Sequence, residues 1–355
     1  MLQGMKRKLS RRQFLVTAAP LMVATAPLAG LAVAGAASAD DSRPGSHSGG
    51  DMDGMEMTTG AGAGTKPSAY PGHASMIGPS VPSPAGPHEF DALLYPPASL
   101  PHQPGRVREY DIVATDRDIE VVNGVTFAAW TYNGTVPGPI IRATEDDLLR
   151  VKFHNAGSHP HTIHFHGIHP ANMDGVFEIV DPGSSLTYEF PAKPYGMHLY
   201  HCHAAPLKKH IHKGLYGAFI IDPPTPRPPA RELVMVMHGY DTDGDGANNI
   251  YAVNGPAFLY AKHPINVRRG ELVRIYLANL TEFDLINSFH LHGEMFRYYP
   301  TGTGSAYEYT DTVMLCQGQR GILEIEFSNT GLFMFHAHVT EFTELGWMGY
   351  FNVSE

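Results

Sequence analysis

At matching places in the two halves of this chain stand four pairs of histidines two residues apart: His164-Phe165-His166, His201-Cys202-His203, His290-Leu291-His292 and His336-Ala337-His338. Residues i and i+2 of a strand share a face, so each pair offers two imidazoles to one site. A single pair is most often a hydrogen-bonded structural feature. Four of them at matching places, in a chain with 21 histidines, point to metal. Neutral imidazoles suit Cu, Zn, Fe and Ni alike, so the pairs do not choose the ion. Cys202 does. It lies between His201 and His203 and faces the other side of the strand, where His161 and His210 could join it. A thiolate with two imidazoles in a trigonal set is the blue-copper arrangement. A copper on Cys202 would be covalently next to two histidines that hold others, which gives electrons a route from an outer ion to an inner cluster. The other cysteine, Cys316, sits in an apolar run with no histidine nearby and reads as a small buried hydrophobe.

The elements that position these residues follow from composition and pattern. The 355 residues are 43% hydrophobic and 17% charged, with 37 Gly and 29 Pro. Short alternating runs such as Leu148–Phe153 and Leu186–Phe190, separated by Gly, Pro, Asn and Asp clusters, predict an all-β chain. The two halves echo each other. Tyr132-Asn133-Gly134, Leu148-Leu149-Arg150-Val151 and His164-Phe165-His166-Gly167 return as Val253-Asn254-Gly255, Leu272-Val273-Arg274-Ile275 and His290-Leu291-His292-Gly293. This internal duplication predicts two Greek-key β-sandwiches in tandem, over 106–222 and 231–355, joined by the Pro-rich linker 223–230.

Residues 1–39 read as an export leader: a basic start, Ser10-Arg11-Arg12-Gln13-Phe14-Leu15, an apolar stretch, and Ala37-Ser38-Ala39 as a small-residue cleavage site. The twin-arginine pattern predicts an exported protein, periplasmic, in the cell envelope or extracellular, with no stable membrane anchor. Residues 40–105 are rich in Gly, Pro, Ser, His and Met and predict a flexible segment; His47, Met52, Met55 and Met57 in it are soft enough for cuprous ion. The leader's five Lys/Arg and absent acids take the remainder from −10 to −15. That acidity argues against nucleic acid as a partner.

The His pairs, the Tyr132–Pro139 segment and the run His201-Cys202-His203 through His210-Ile211-His212-Lys213-Gly214-Leu215 resemble the multicopper oxidases, in particular the small two-domain laccase-like branch related to copper nitrite reductases. The resemblance covers residues 106–355 and implies cupredoxin-like domains with about four coppers per chain, one type 1, one type 2 and two type 3. By motif position it implies His161, Cys202 and His210 at the type 1 copper. His164 and His290 fall at type 2, and His166, His201, His203, His292, His336 and His338 at the type 3 pair. Leu215 stands at the axial place, where many relatives carry Met, and cannot coordinate. His212 competes with His210, which keeps the family spacing to Gly214-Leu215. In the second half Ala337, Asn287 and Phe342 stand where a second type 1 site would need ligands, so that site is absent there.

The resemblance further implies a homotrimer, with each copper cluster between the first domain of one chain and the second of its neighbour. A cyclic, heterologous interface lets every half-site find its complement. Asp174, in Met173-Asp174-Gly175, is the candidate proton relay for dioxygen reduction, with Glu341 and Glu344 as weaker ones. His154, His159, His169, His198, His238 and His263 show no paired geometry and read as structural. The function so implied is oxidation of a small one-electron donor, a phenol or a metal ion, coupled to reduction of dioxygen to water. The runner-up is a nitrite reductase, whose relatives typically have Asp at the place of His164 and lack the histidine at 203. A copper carrier is the third reading, and it leaves eight imidazoles without a role.

Overall fold

The computed structural model describes residues 90–355; the leader and residues 40–89 of the segment expected to be flexible lie outside the described residues. Eight strands build the first domain: β1 (Val107–Val122), β2 (Val125–Tyr132), β3 (Ile141–Thr144), β4 (Leu148–Asn155), β5 (His164–Phe165), β6 (Ser185–Pro191), β7 (Gly196–His201) and β8 (Tyr216–Asp222). They form two sheets, ordered β2-β1-β4-β6 and β3-β8-β7-β5, with β1 parallel to β4 and β3 parallel to β8. Alternation explains the packing. Leu149, Val151 and Phe153 of β4 turn inward and are fully buried, while Arg150 and Lys152 face out.

The second domain repeats this plan with β9 (Arg231–Tyr240), β10 (Ile250–Val253), β11 (Ile265–Arg268), β12 (Leu272–Asn279), β13 (Ile286–Leu291), β14 (Phe296–Pro300), β15 (Glu308–Thr310), β16 (Thr312–Cys316), β17 (Arg320–Glu326), β18 (Gly331–His336) and β19 (Met348–Ser354). Its sheets run β10-β9-β12-β17-β14-β15 and β11-β19-β18-β13-β16. The parallel pairs recur as β9 with β12 and β11 with β19. Strands β14, β15 and β16 are an addition with no counterpart in the first domain. The fold is all-β, two sandwiches of one topology.

Each domain has its own apolar core, and a third joins them, where Met197, Leu199, Tyr216 and Ile220 meet Val234, Val236, Tyr276 and Ile322. Each such side chain contributes about 1.5–3 kcal/mol on full burial. Arg142 ties the seam further: buried to 2% exposure, it donates to Asp222 Oδ2 at 2.7 Å, Asp222 Oδ1 at 2.8 Å, Glu232 Oε2 at 2.7 Å and the Pro97 carbonyl at 2.8 Å. Within the segment 40–105, expected to be flexible, residues 90–105 are placed against the fold. Leu93 and Leu94, in the one-turn helix α1 (Asp91–Leu94), are buried, and Thr144 Oγ1 donates to the Leu100 carbonyl. A few apolar anchors and backbone acceptors fasten a Pro-rich segment that has no periodic pattern of its own.

Cys316 corrects a second expectation. It is exposed. Strand β16 lies at a sheet edge, so Val313 and Leu315 turn inward while Met314 and Cys316 face out.

Candidate metal centre

Cys202 follows directly on β7, and its amide donates to the Leu215 carbonyl at 2.9 Å. Its thiol points into the first-domain core and is fully buried. Two imidazoles reach it there. His161 is held by a two-way backbone bridge to Val180, and His210 sits in the short helix α2 (Leu207–His212). The Cys202 Sγ lies 3.3 Å from His210 Nδ1 and 3.9 Å from His161 Nδ1, and the two Nδ1 atoms are 3.1 Å apart. Three donor atoms thus converge on one point. Burial pushes both imidazoles down to about 4, so they stay neutral with lone pairs free. Burial also raises the thiol, opposed by the Thr162 amide, which donates to Sγ at 3.4 Å. A buried thiol beside two neutral imidazoles matches the needs of a cation that keeps the sulfur deprotonated.

The indole of Trp130 covers both rings, at 5.3 Å from His161 and 4.8 Å from His210 between centroids. Leu215 is fully buried in the same cluster as Cys202 and brings only carbon. Of the two competing histidines, His210 is the one brought to Cys202. His212 packs instead against Phe283 and Phe127, at 4.4 and 5.4 Å.

On the other face of the same strand the first histidine set assembles through strand pairing. His164 of β5 lies directly opposite His201 of β7, and the second domain repeats this with His290 of β13 opposite His336 of β18. His166 Nε2 comes to 3.2 Å from His201 Nε2, and His292 Nε2 to 2.9 Å from His336 Nε2. His203 and His338 close each set, their rings 5.5 Å from His164 and 5.1 Å from His290.

Carbonyls set the tautomers. His164 Nδ1 donates to the Asp174 carbonyl at 2.8 Å, His201 Nδ1 to the Cys202 carbonyl at 2.9 Å, His290 Nδ1 to the Asp311 carbonyl at 3.0 Å and His336 Nδ1 to the Ala337 carbonyl at 2.6 Å. Because a carbonyl only accepts, each of these rings has its Nε2 lone pair free for a metal. Burial holds His201 at about 4 and lowers His164 and His336. The donors therefore fit copper.

Asp174, singled out in the sequence, stands beside the first set, its Oδ1 3.0 Å from His164 Nδ1. Other residues join without a sequence signal. His169 Nε2 lies 3.6 Å from the same oxygen and donates to the Phe165 carbonyl at 2.8 Å, which holds the ring beside the set. Arg320 of the second domain reaches His166 and His198. Only the folded topology brings these residues together; neither Arg320 nor His198 stands in a pattern.

The place in the second domain that corresponds to the Cys202 site is filled with carbon. Ala337 and Trp347 are fully buried, Phe342 stacks on Tyr251 at 3.8 Å, and Asn287 donates to Thr281 Oγ1.

A doubled β-sandwich with one thiolate–imidazole site and two four-histidine sets defines a copper oxidoreductase. Multicopper oxidase family profiles match residues 113–226 and 226–355. A solved multicopper oxidase is 55% identical, with a TM-score of 0.71 over 75% of this chain and 97% of its own. A blue copper oxidase from Nitrosomonas europaea is 27% identical, with a TM-score of 0.64, covering 70% of this chain and 86% of its own. A copper-containing nitrite reductase from Neisseria meningitidis is 29% identical over 264 residues, 68% of either chain. The chain belongs to the multicopper oxidase family, enzymes that use copper to pass electrons from a reducing substrate to dioxygen.

Proposed function

We propose that the protein is a two-domain, laccase-like oxidase with its electron entry in the first domain only. His161, Cys202 and His210 hold a type 1 copper, with Leu215 as a non-coordinating axial neighbour. His164 and His290 hold the type 2 ion, and His166, His201, His203, His292, His336 and His338 the type 3 pair, about four coppers per chain. When bound, these ions supply the one-electron steps that carry electrons from donor to dioxygen, which leaves as water. The polypeptide does the rest. Cys202 is peptide-bonded to His201 and His203, which links the two sites covalently. Asp174, against His164, is placed to pass protons inward.

The observation that carries this reading is the convergence of Cys202, His161 and His210 on one side of the chain at the end of β7 and of four imidazoles on the other. The ligand atoms of His164, His166 and His201 form one group and those of His290, His292 and His336 another, and His292 and His338 are exposed. Among the described residues, no ring of one set touches a ring of the other. Large apolar side chains stand exposed in the loop after the first set (Ile168 at 58%, Phe177 at 81%), and Met314, at 64%, lies opposite Ser288 beside the second. These features support a homotrimer in which each cluster forms between subunits. The twin-arginine leader supports export. Among the described residues no helix is long and apolar enough to cross a membrane.

Copper quantification with the visible spectrum of the purified protein tests the assignment, alongside oxygen uptake with a phenolic donor. About four coppers, a blue band and oxygen consumption are expected. Two coppers with nitric oxide formed from nitrite and no oxygen uptake would replace the oxidase by a nitrite reductase.

A further inference from the structure

The second domain reaches the first histidine set through one side chain. Arg320, the first residue of β17, donates from Nη1 to His166 Nδ1 at 3.3 Å and to the Gly318 carbonyl at 3.4 Å. It also donates from Nη2 to His198 Nδ1 at 3.4 Å and from Nε to the Met197 carbonyl at 3.2 Å. All these acceptors are neutral. A guanidinium has no lone pair to offer, so both histidines must present theirs at Nδ1 and carry the proton on Nε2.

Independent contacts agree. His198 Nε2 lies 2.8 Å from the Pro194 carbonyl, which only accepts. His201 has its proton on Nδ1, against the Cys202 carbonyl, so its Nε2 accepts from His166 Nε2 across 3.2 Å. Donation runs one way, from Arg320 through His166 and His201 to the Cys202 carbonyl. In the second set, no arginine among the described residues occupies the equivalent place at His292.

We infer that Arg320 is a latch on copper loading at the first histidine set; this rests on the copper assignment above. A neutral ring that binds a metal through Nε2 carries its proton on Nδ1. At His166 that proton would meet a guanidinium N–H head to head. Loading therefore moves the His166 proton from Nε2 to Nδ1 through solvent, and Arg320 must withdraw to admit it. The guanidinium charge opposes an incoming cation in the same sense. Since the arginine comes from the second domain and the imidazole from the first, the seam between domains controls how readily the ligand opens.

The test uses copper-free, full-length protein in a His292→Ala/His336→Ala background, which leaves the first set as the intact four-imidazole site. Cuprous ion is titrated against a competing chelator, and 15N NMR reads the histidine tautomers before metal is added. R320M should bind copper at the first set about 10–100-fold more tightly, the equivalent of one charge-assisted hydrogen bond. R320Q, which keeps a donor but no charge, should fall between. The parent should show a ring protonated at Nε2 whose signal changes in both variants.

Equal or weaker copper binding in R320M and R320Q would overturn the latch, and so would a His166 protonated at Nδ1 in the parent. If R320M does not fold, R320Q and the parent spectrum decide the matter. A parent that binds copper only at Cys202 sinks the half-site assignment itself, a separate failure.

Discussion

His238 offers a measurement that needs no metal. Its ring is fully buried in the core between the domains, with the rings of Tyr240 at 4.9 Å and Tyr216 at 6.0 Å, and neither ring nitrogen has a hydrogen-bond partner. Burial alone pushes it down to about 3. The sign follows from linkage. The folded value lies below the ordinary 6.5, so the unfolded chain binds the proton first. Above pH 6.5 the group costs nothing by titration; as pH falls toward 3 it progressively destabilises the fold. At pH 5 this penalty is about 2 kcal/mol, and it approaches about 5 kcal/mol below pH 3. His238→Leu removes both this penalty and two unsatisfied polar atoms, the latter giving about 1–3 kcal/mol at neutral pH. Urea unfolding of copper-depleted protein at pH 7.5 and pH 5 should show the variant more stable at both, with the gap wider by about 2 kcal/mol at pH 5. A gap that does not change with pH would refute the reasoning, because the titration would then belong to other groups.

Other perturbations separate the parts of the molecule. Cys202→Ser should abolish the blue absorption and donor oxidation while the oligomer, measured by sedimentation, stays intact. Arg142→Met removes the cation between Asp222 and Glu232 and leaves Glu232 the longer 3.5 Å ion pair with Arg274; it should cost about 3–5 kcal/mol in denaturant unfolding. Asp174→Asn should lower oxygen consumption by about 10²-fold or more with the blue band unchanged. Leu215→Met adds a weak axial ligand, and the potential of the blue site, read by redox titration, should fall.

Much of this was legible in the sequence. The His-x-His pairs pointed to strands and a duplicated arrangement, and the first histidine of each pair does lie on a strand, while the second stands just past the strand end. Cys202 specified a second site on the reverse face by the same rule, and the structure sets His161 and His210 beside it. What stayed hidden depends on tertiary placement. Arg320 and His198 lie 122 positions apart and meet only because β7 packs across the seam from β17. His169 has no paired partner in sequence, but the loop carrying Asp174 folds back onto it. Cys316 misled because an edge strand can carry apolar residues on its outer face, and Val313-Met314-Leu315-Cys316 shows no polar alternation to reveal it. The ordered stretch 90–105 was masked by its Pro-rich composition.

The aromatic stack of Phe342 on Tyr251 fills the place where a second electron-entry site would need a ligand. On the function proposed above, dioxygen takes four electrons on the way to water, and Cys202 marks the single port per chain through which they arrive. A donor that yields a single electron must therefore visit the same surface four times per turnover. Throughput is then set as much by how quickly spent donor clears that port as by anything that happens among the eight imidazoles behind it.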